Sequence, residues 1–297
     1  MAFGVYRLFD PARSYSGAAY LFGAVLCTLQ LYYDFAGTVD ICLGSAKIFG
    51  VKLPENFRQP FFAKNAGDFW HRWHITLGTW FKDYIFYPIS FAKPMGKLSK
   101  KVKNVFGIGV SKLFTPTIAL FAVWISNGLW HGPKITYIFY GLYYFVLIFI
   151  ENCLEKPIGK FNEKHNINDD NKLLKAFRFI KLCVIVVVGE TIFRADSVAD
   201  GFRMLGKIFT DFDFSAFIHS LSDLVHEPYD LIIMFVGFII VLIVDIMRER
   251  GKCFTSYLET KPKAVRWIFW YIAIFIVILF GAYGPGYDAV AMMYATF

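Results

Sequence analysis

The feature that most constrains this chain is a series of apolar runs close to the length of a bilayer crossing. Residues 16–33, 113–130, 135–150 and 267–283 contain no Asp, Glu, Lys or Arg, and 230–244 is charged only at its first residue. A helix needs about 17–25 apolar residues to cross hydrocarbon. Only helices and closed barrels satisfy their backbone groups there, and runs this long favour helices. The pattern predicts an all-α, multi-pass membrane helix bundle. A sixth run, 179–191, is weaker because Lys181 and Glu190 bracket its apolar centre. Composition agrees: only 18% of residues are charged, against about 25% in soluble domains.

The charges outside these runs predict an orientation. Residues 93–103 hold five Lys and no acid, 155–181 hold seven basic and four acidic residues, and 248–266 hold six basic and two acidic. These three segments are expected on the cytoplasmic side. Residues 194–230 carry three basic and seven acidic residues and are expected outside. The net charge of +8 therefore sits in loops that orient the chain against membrane lipids. It argues against nucleic acid as a partner. The five Cys are scattered with no CxxC pair and read as small apolar residues. Residues 1–14 carry Arg7, Asp10 and Arg13 with no apolar core, so no cleavable signal is expected there.

Residues 34–94 break the pattern, being polar and aromatic at once. Backbone of this kind lies at membrane depth only inside protein or beside a water-filled cavity. Residues 67–86 are expected to form a short buried or re-entrant helix, and the hydrophilic stretch 156–175 a solvated loop. The whole of 1–297 reads as one membrane domain.

Three of the six His fall where chemistry is possible: His71 and His74 in FWHRWHITL, and His131 at the end of AVWISNGLWH. An imidazole at the end of an apolar helix loses solvation, which favours its neutral, proton-accepting form. Asn127, four residues before His131, would share its helical face. Its amide would orient the ring or bind a polarised carbonyl. The competing reading is an inert interfacial histidine beside Trp130. His71 and His74, three apart, would also share one face. A zinc site with His131 is disfavoured, since no HExxH-type frame is present and Arg72 would repel a cation. No metal is therefore expected. Arg72 and Lys82 would either hold an anionic donor or extend to lipid headgroups. Glu190 and Asp245 read as helix-end residues at the interface, the alternative being an ion or proton relay in a transporter.

The segments NFRQPFFAKNAGDFWHRWHITLGTWFKDYIFYPI and SNGLWHG, in this order, resemble the membrane-bound O-acyltransferase family. Within it they are similar to the bacterial type that acetylates alginate and peptidoglycan, with teichoic-acid D-alanyl transfer as a near relation. YYDFAGTVDICLGSAKIFGVKLPENF, FRADS at 193–197 and a Tyr-x-x-Phe tail at 294–297 agree. The resemblance runs from about Leu29 to the end.

It implies a bundle of helices around a tunnel, with His131 as the catalytic histidine and His74 as the second. Asn127, Arg72 and Trp130 would support them, and no role passes to His71. It implies acetyl-coenzyme A as cytoplasmic donor and an extracytoplasmic acceptor, either a partner acetyltransferase of the SGNH type or a surface polysaccharide. Tyr294 would relay the acyl group, an interfacial aromatic being the alternative. The expected location is the bacterial plasma membrane. Relatives of this type carry spans before the part matching Leu29, so the resemblance also implies that this chain lacks the N-terminal spans. D-alanyl transfer, a transporter and an inactive assembly partner remain as other readings.

Overall fold

The computed structural model describes residues 2–225 and 228–281. Thirteen α-helices follow one another along these residues. They are α1 (Ala2–Leu8), α2 (Gly17–Ile48), α3 (Ala66–Arg72), α4 (Ile75–Phe81), α5 (Tyr87–Phe91), α6 (Lys93–Trp130) and α7 (Ile135–Lys164). After them come α8 (Lys172–Arg194), α9 (Val198–Thr210), α10 (Phe214–Leu224), α11 (Pro228–Glu249), α12 (Phe254–Glu259) and α13 (Lys263–Phe280). A 3-10 turn at Pro60–Phe62 precedes α3, and a π turn at Lys82–Phe86 joins α4 to α5. Among the described residues the only β pairing is a single antiparallel bridge between Phe57 and Trp73. The protein is an all-α membrane helix bundle.

Among the described residues, four helical segments are long and apolar enough to cross a membrane: α6, α7, Leu231–Glu249 of α11, and α13. The run 16–33 forms the first half of α2, and most of its residues are core, with Leu21 and Val25 exposed. Ser16 caps the helix by accepting from Ala19 N (3.4 Å). Gly17–Tyr20, Gly23, Ala24, Leu26–Thr28 and Gln30–Tyr32 are buried. This half packs with Val5, Leu8, Met204 and Phe217 from α1, α9 and α10. The helix then runs past Asp34 and Asp40 to Ile48, where the sequence suggested an irregular segment. The weaker run 179–191 lies in α8, with Leu182, Val186 and Gly189–Phe193 buried.

The basic stretch 93–103, expected as a loop, is helical. Gly107 leaves the helical region (φ +84°), a conformation open to glycine. Beyond it the chain folds back, because Ser111 Oγ donates to Ser99 O (2.9 Å). Twelve residues along one continuous helix would span about 18 Å. The apolar arm is therefore 108–130. At about 1.5 Å per residue it extends about 34 Å, enough for a hydrocarbon layer about 30 Å thick. The expected loop 156–175 is likewise mostly helical, since α7 reaches Lys164 and α8 starts at Lys172 behind an Asn171 cap.

The apolar arm and α7 cross at glycines. A Cβ on Gly128 would lie 2.6 Å from Tyr137 O, and one on Gly141 would overlap Trp124 O. Small residues here let the two backbones touch, a common device in membrane bundles. Two aromatic clusters flank the crossing. Leu31, Tyr32, Phe69, Trp73 and Leu182 form one, and Trp124, Tyr140, Tyr144 and Phe193 the other. Trp70 packs against both, and the candidate site lies between them.

Candidate active site

The segment bearing His74 is not one helix. Asn65 caps α3 by accepting from Asp68 N (2.7 Å). The Glu151 carboxylate, from α7, accepts from Ala66 N (3.0 Å) and Gly67 N (3.1 Å). Together they satisfy donors that a helix start leaves open and place negative charge against its dipole. The helix stops at Arg72. Trp73 is extended, Arg58 N donates to Arg72 O (3.0 Å), and Ile75 N donates to Asn56 O (3.1 Å). His74 then takes a left-handed backbone (φ +45°), uncommon outside glycine. The single re-entrant helix expected over 67–86 is thus broken at Trp73 and His74. His71 and His74 consequently do not share a helical face.

His131 arrives by another route. It is the C-cap of α6, with its N–H donating to Asn127 O (3.4 Å), so Asn127 sits one turn earlier as the spacing predicts. His131 and Asn127 are both buried, each 5% exposed. The His131 ring packs edge-on against Trp130 (4.7 Å between centroids) and Phe193 (4.9 Å). Trp130 also lies 6.0 Å from the His74 ring, so it packs against both imidazoles.

The two histidines line one small chamber of about 10 Å³, together with Asn127, Trp130, Tyr140 and Glu190. That is room for about one water molecule. A larger cavity of about 420 Å³ shares His74, Asn127 and Trp70 with the chamber. Its remaining wall is mostly apolar, with His71, Thr79, Lys82 and Asn152 as polar members. The larger cavity is a vestibule that shares Trp70, Trp73, His74, Leu77 and Asn127 as a common wall with the smaller, histidine-lined constriction. Among the described residues, Asn127 Oδ1 and Trp70 Nε1 are buried without a hydrogen-bond partner. Buried polar atoms are rarely left so, and both belong to the walls of the two cavities.

No family model matches the chain. Named relatives do. The probable alginate O-acetylase of Azotobacter vinelandii is 31% identical over 219 residues, 74% of this chain and 36% of that protein. The teichoic acid D-alanyltransferase of Bacillus subtilis is 37% identical over 160 residues, 54% of this chain and 35% of that protein. The peptidoglycan O-acetyltransferase of Helicobacter pylori is 31% identical over 154 residues, 52% of this chain and 26% of that protein. The chain is a homologue of bacterial membrane-bound O-acyltransferases. It spans about a third of the length of the alginate-type relatives it matches.

Within this acyltransferase homologue the expected site residues separate into groups. His131, His74, Asn127 and Trp130 come together at the chamber. Arg72 does not line either cavity. Its guanidinium donates to Asp68 (3.1 Å) and Glu249 (2.8 Å), tying α3 to α11. Lys82 does line the vestibule, with its amine 5.4 Å from the Tyr87 ring. His71 belongs to the vestibule and not to the chamber. Tyr294 lies outside the described residues.

Two acids depart from their reading as interfacial helix ends. Glu190 is 3% exposed, accepts a hydrogen bond from Tyr140 OH (2.6 Å) and lines the chamber. Asp245 is buried and accepts from Tyr32 OH (3.1 Å). Their partners, Tyr140 and Tyr32, look like any other tyrosine in so aromatic a sequence, so pairing was not legible. The available signal was the acid itself at membrane depth, which is costly unless satisfied. Asn56 was not singled out by the sequence at all, yet its side chain meets His74 Nδ1 at 3.2 Å.

Proposed function

We propose that this chain is the catalytic portion of a membrane O-acyltransferase. It takes an acetyl group from cytoplasmic acetyl-coenzyme A and passes it to an extracytoplasmic acceptor. That acceptor is a surface polysaccharide or an SGNH-type partner protein. The observation that carries this reading is the convergence of His131 and His74, from separate elements, on one constriction at the end of a vestibule. The vestibule's volume lies in the range of small-molecule sites, and its mostly apolar wall with few polar groups is the usual composition.

In this reading the thioester end of the donor reaches the constriction through the vestibule. His131 takes the proton from the acceptor hydroxyl. The hydroxyl oxygen bonds to the thioester carbonyl carbon, the C–S bond breaks, and His131 returns the proton to the departing thiolate. Asn127 hydrogen-bonds the polarised carbonyl or orients the His131 ring, and Trp130 packs against both imidazoles. Where Tyr294 relays the acyl group, its phenol is the hydroxyl of this first transfer; it carries the acyl as an ester until the hydroxyl of the extracytoplasmic acceptor takes the acyl in a second transfer and the phenol is restored. The chain sits in the bacterial cell membrane, crossing it several times with the basic segments inside.

The test is His131→Ala in the protein as the cell makes it, with acyl transfer from labelled acetyl-coenzyme A followed in purified membranes. Loss of a general base costs about 10²–10⁴-fold in rate, with the amount of protein in the membrane unchanged. Transfer at the native rate overturns the assignment. The Bacillus subtilis relative supports a second cargo, D-alanyl, which the same chemistry would serve. Offering membranes an acetyl or a D-alanyl thioester separates the two.

A further inference from the structure

We propose that Asn56 is a positioning residue that holds neutral His74 as its Nδ1–H tautomer, leaving Nε2 as a hydrogen-bond acceptor toward the chamber. Three short contacts converge on one atom. Asn56 Oδ1 lies 2.6 Å from Thr76 Oγ1, 3.1 Å from Thr76 N and 3.2 Å from His74 Nδ1. A backbone N–H can only donate, so the atom that Thr76 N meets is the amide oxygen rather than its nitrogen. This removes the usual ambiguity in an asparagine's orientation. A carbonyl oxygen only accepts. The contact with Nδ1 is therefore a hydrogen bond only when Nδ1 carries the proton. A neutral imidazole has one ring proton, so Nε2 keeps a free lone pair.

The surroundings hold this arrangement from both sides. Asn56 is fixed through its own backbone, since its carbonyl accepts from Ile75 N (3.1 Å), and the neighbouring Phe57 bridges Trp73. The His74 ring sits edge-on to Phe35 (4.7 Å) with Trp130 at 6.0 Å, which resists a ring flip. Asn56 lines neither cavity, whereas His74 lines both, so the edge opposite Nδ1 faces the chamber.

The consequence limits what His74 can do at the constriction. A neutral ring with a bare Nε2 cannot donate to a substrate carbonyl. It can accept a hydrogen bond or a proton from a hydroxyl or thiol at the constriction. Only this consequence rests on the acyltransferase reading: the contacts place a proton on Nδ1, and the aromatic surroundings of the ring disfavour the second proton that would charge it.

The experiment uses ¹⁵N-histidine-labelled protein in nanodiscs, with the two ring nitrogens of His74 resolved by long-range ¹H–¹⁵N correlation and assigned with His74→Gln. The native protein is expected to show a protonated Nδ1 and a bare Nε2. Asn56→Ala is expected to shift the signals toward the Nε2–H form that free imidazole side chains prefer. Asn56→Asp, which keeps an accepting oxygen, is expected to retain the native pattern. A native protein with Nε2–H, or an Asn56→Ala protein with unchanged signals, overturns the proposal. Thr76→Val removes one competing donor without removing the acceptor and is expected to preserve Nδ1–H, so a misfolded Asn56→Ala does not end the test. In the acyl-transfer assay Asn56→Ala should lower the maximal rate about 10-fold or more, since orienting partners of metal-bound histidines are worth about 10–100-fold, and Asn56→Asp should recover most of it. A changed tautomer with an unchanged transfer rate would uphold the proposal and count against His74 in the transfer reaction.

Discussion

His131 is carried to the chamber on the end of a long helical arm, residues 108–130, while His74 stands in a chain reversal between two helices of seven residues each. The first placement depends on helix–helix packing, through Gly128, Gly141 and the stacked Trp124 and Tyr144 rings. The second depends on hydrogen bonds accepted by side chains far away in sequence, at Asn56 and Glu151. A packed helix end can be disturbed only by parting the helices. A hydrogen-bonded reversal can be disturbed one contact at a time. The two histidines should therefore respond to different mutations, even though they share one chamber.

The largest expected effect comes from the histidines themselves. If His131 is the base and His74 its support, His131→Ala should cost about 10²–10⁴-fold in transfer rate. His74→Ala should cost less. Rates measured on both variants in the same membranes check this, and a His74 loss exceeding that of His131 would reverse the roles. Next is the packing route. Gly141→Ala puts a methyl group into Trp124 O, and backbone cannot rotate away as a side chain could. Overpacking of this kind costs about 1–3 kcal/mol. A lowered unfolding midpoint in detergent should accompany reduced transfer, with the His74 tautomer unchanged. A tautomer shift in Gly141→Ala would mean that the two placements are not independent.

The hydrogen-bonded route predicts a milder effect. Glu151→Gln keeps an acceptor at the start of α3 but removes the charge that faces its dipole. Such interactions contribute about 0.3–1 kcal/mol. Amide exchange across Ala66–Arg72 should quicken by about 2–5-fold, which is that energy expressed as a local opening equilibrium. Exchange across 120–130 should stay as it is. Equal quickening in both segments would show that α3 and the arm open together.

The same contrast explains what could be read in advance. The class of fold was legible because burial in lipid demands long apolar helices, and α6, α7, α11 and α13 announce themselves by hydropathy. The run 16–33 was legible as a helix but not as a core helix, because hydropathy counts apolar groups without saying what covers them. His131 was legible from position, since a histidine closing an apolar run with Asn127 one turn earlier needs only helical geometry. His74 was legible only through its motif. Its backbone reversal, its tie to Asn56 and the separation from His71 arise from contacts across 18 residues and more. The break inside α6 was signalled by Gly107 alone, and nothing local marks that glycine from Gly109 beside it. Glu190 was visible as an acid in an apolar helix, but its place on the chamber wall depends on Tyr140 fifty residues away.

The smallest predicted effect belongs to a region that touches neither histidine and so serves as their control. Asp223, in α10, accepts from Tyr15 OH (2.7 Å) and Arg13 (2.9 Å) and pairs with Arg7, clasping the N-terminal segment to α10. The hydrogen bond from Tyr15 holds its carboxyl below the ordinary carboxylate value, with the charges of Arg7 and Arg13 acting the same way. A depressed folded value means that the clasp contributes fully above the unfolded aspartate value of about 3.9 and is lost as pH falls through the folded one. The site is open to solvent, so the contribution is small and weakens with salt. Spin labels on α1 and α10 should keep their separation from neutral pH down to about 4 and part below it. In Asp223→Asn the separation should no longer depend on pH in that window. Parting well above pH 4, or an equal response in the Asn variant, would mean that another group governs the contact. Labels on the arm 108–130 and on α7 should not move in either protein, because their contact rests on Gly128 and Gly141 and carries no charge.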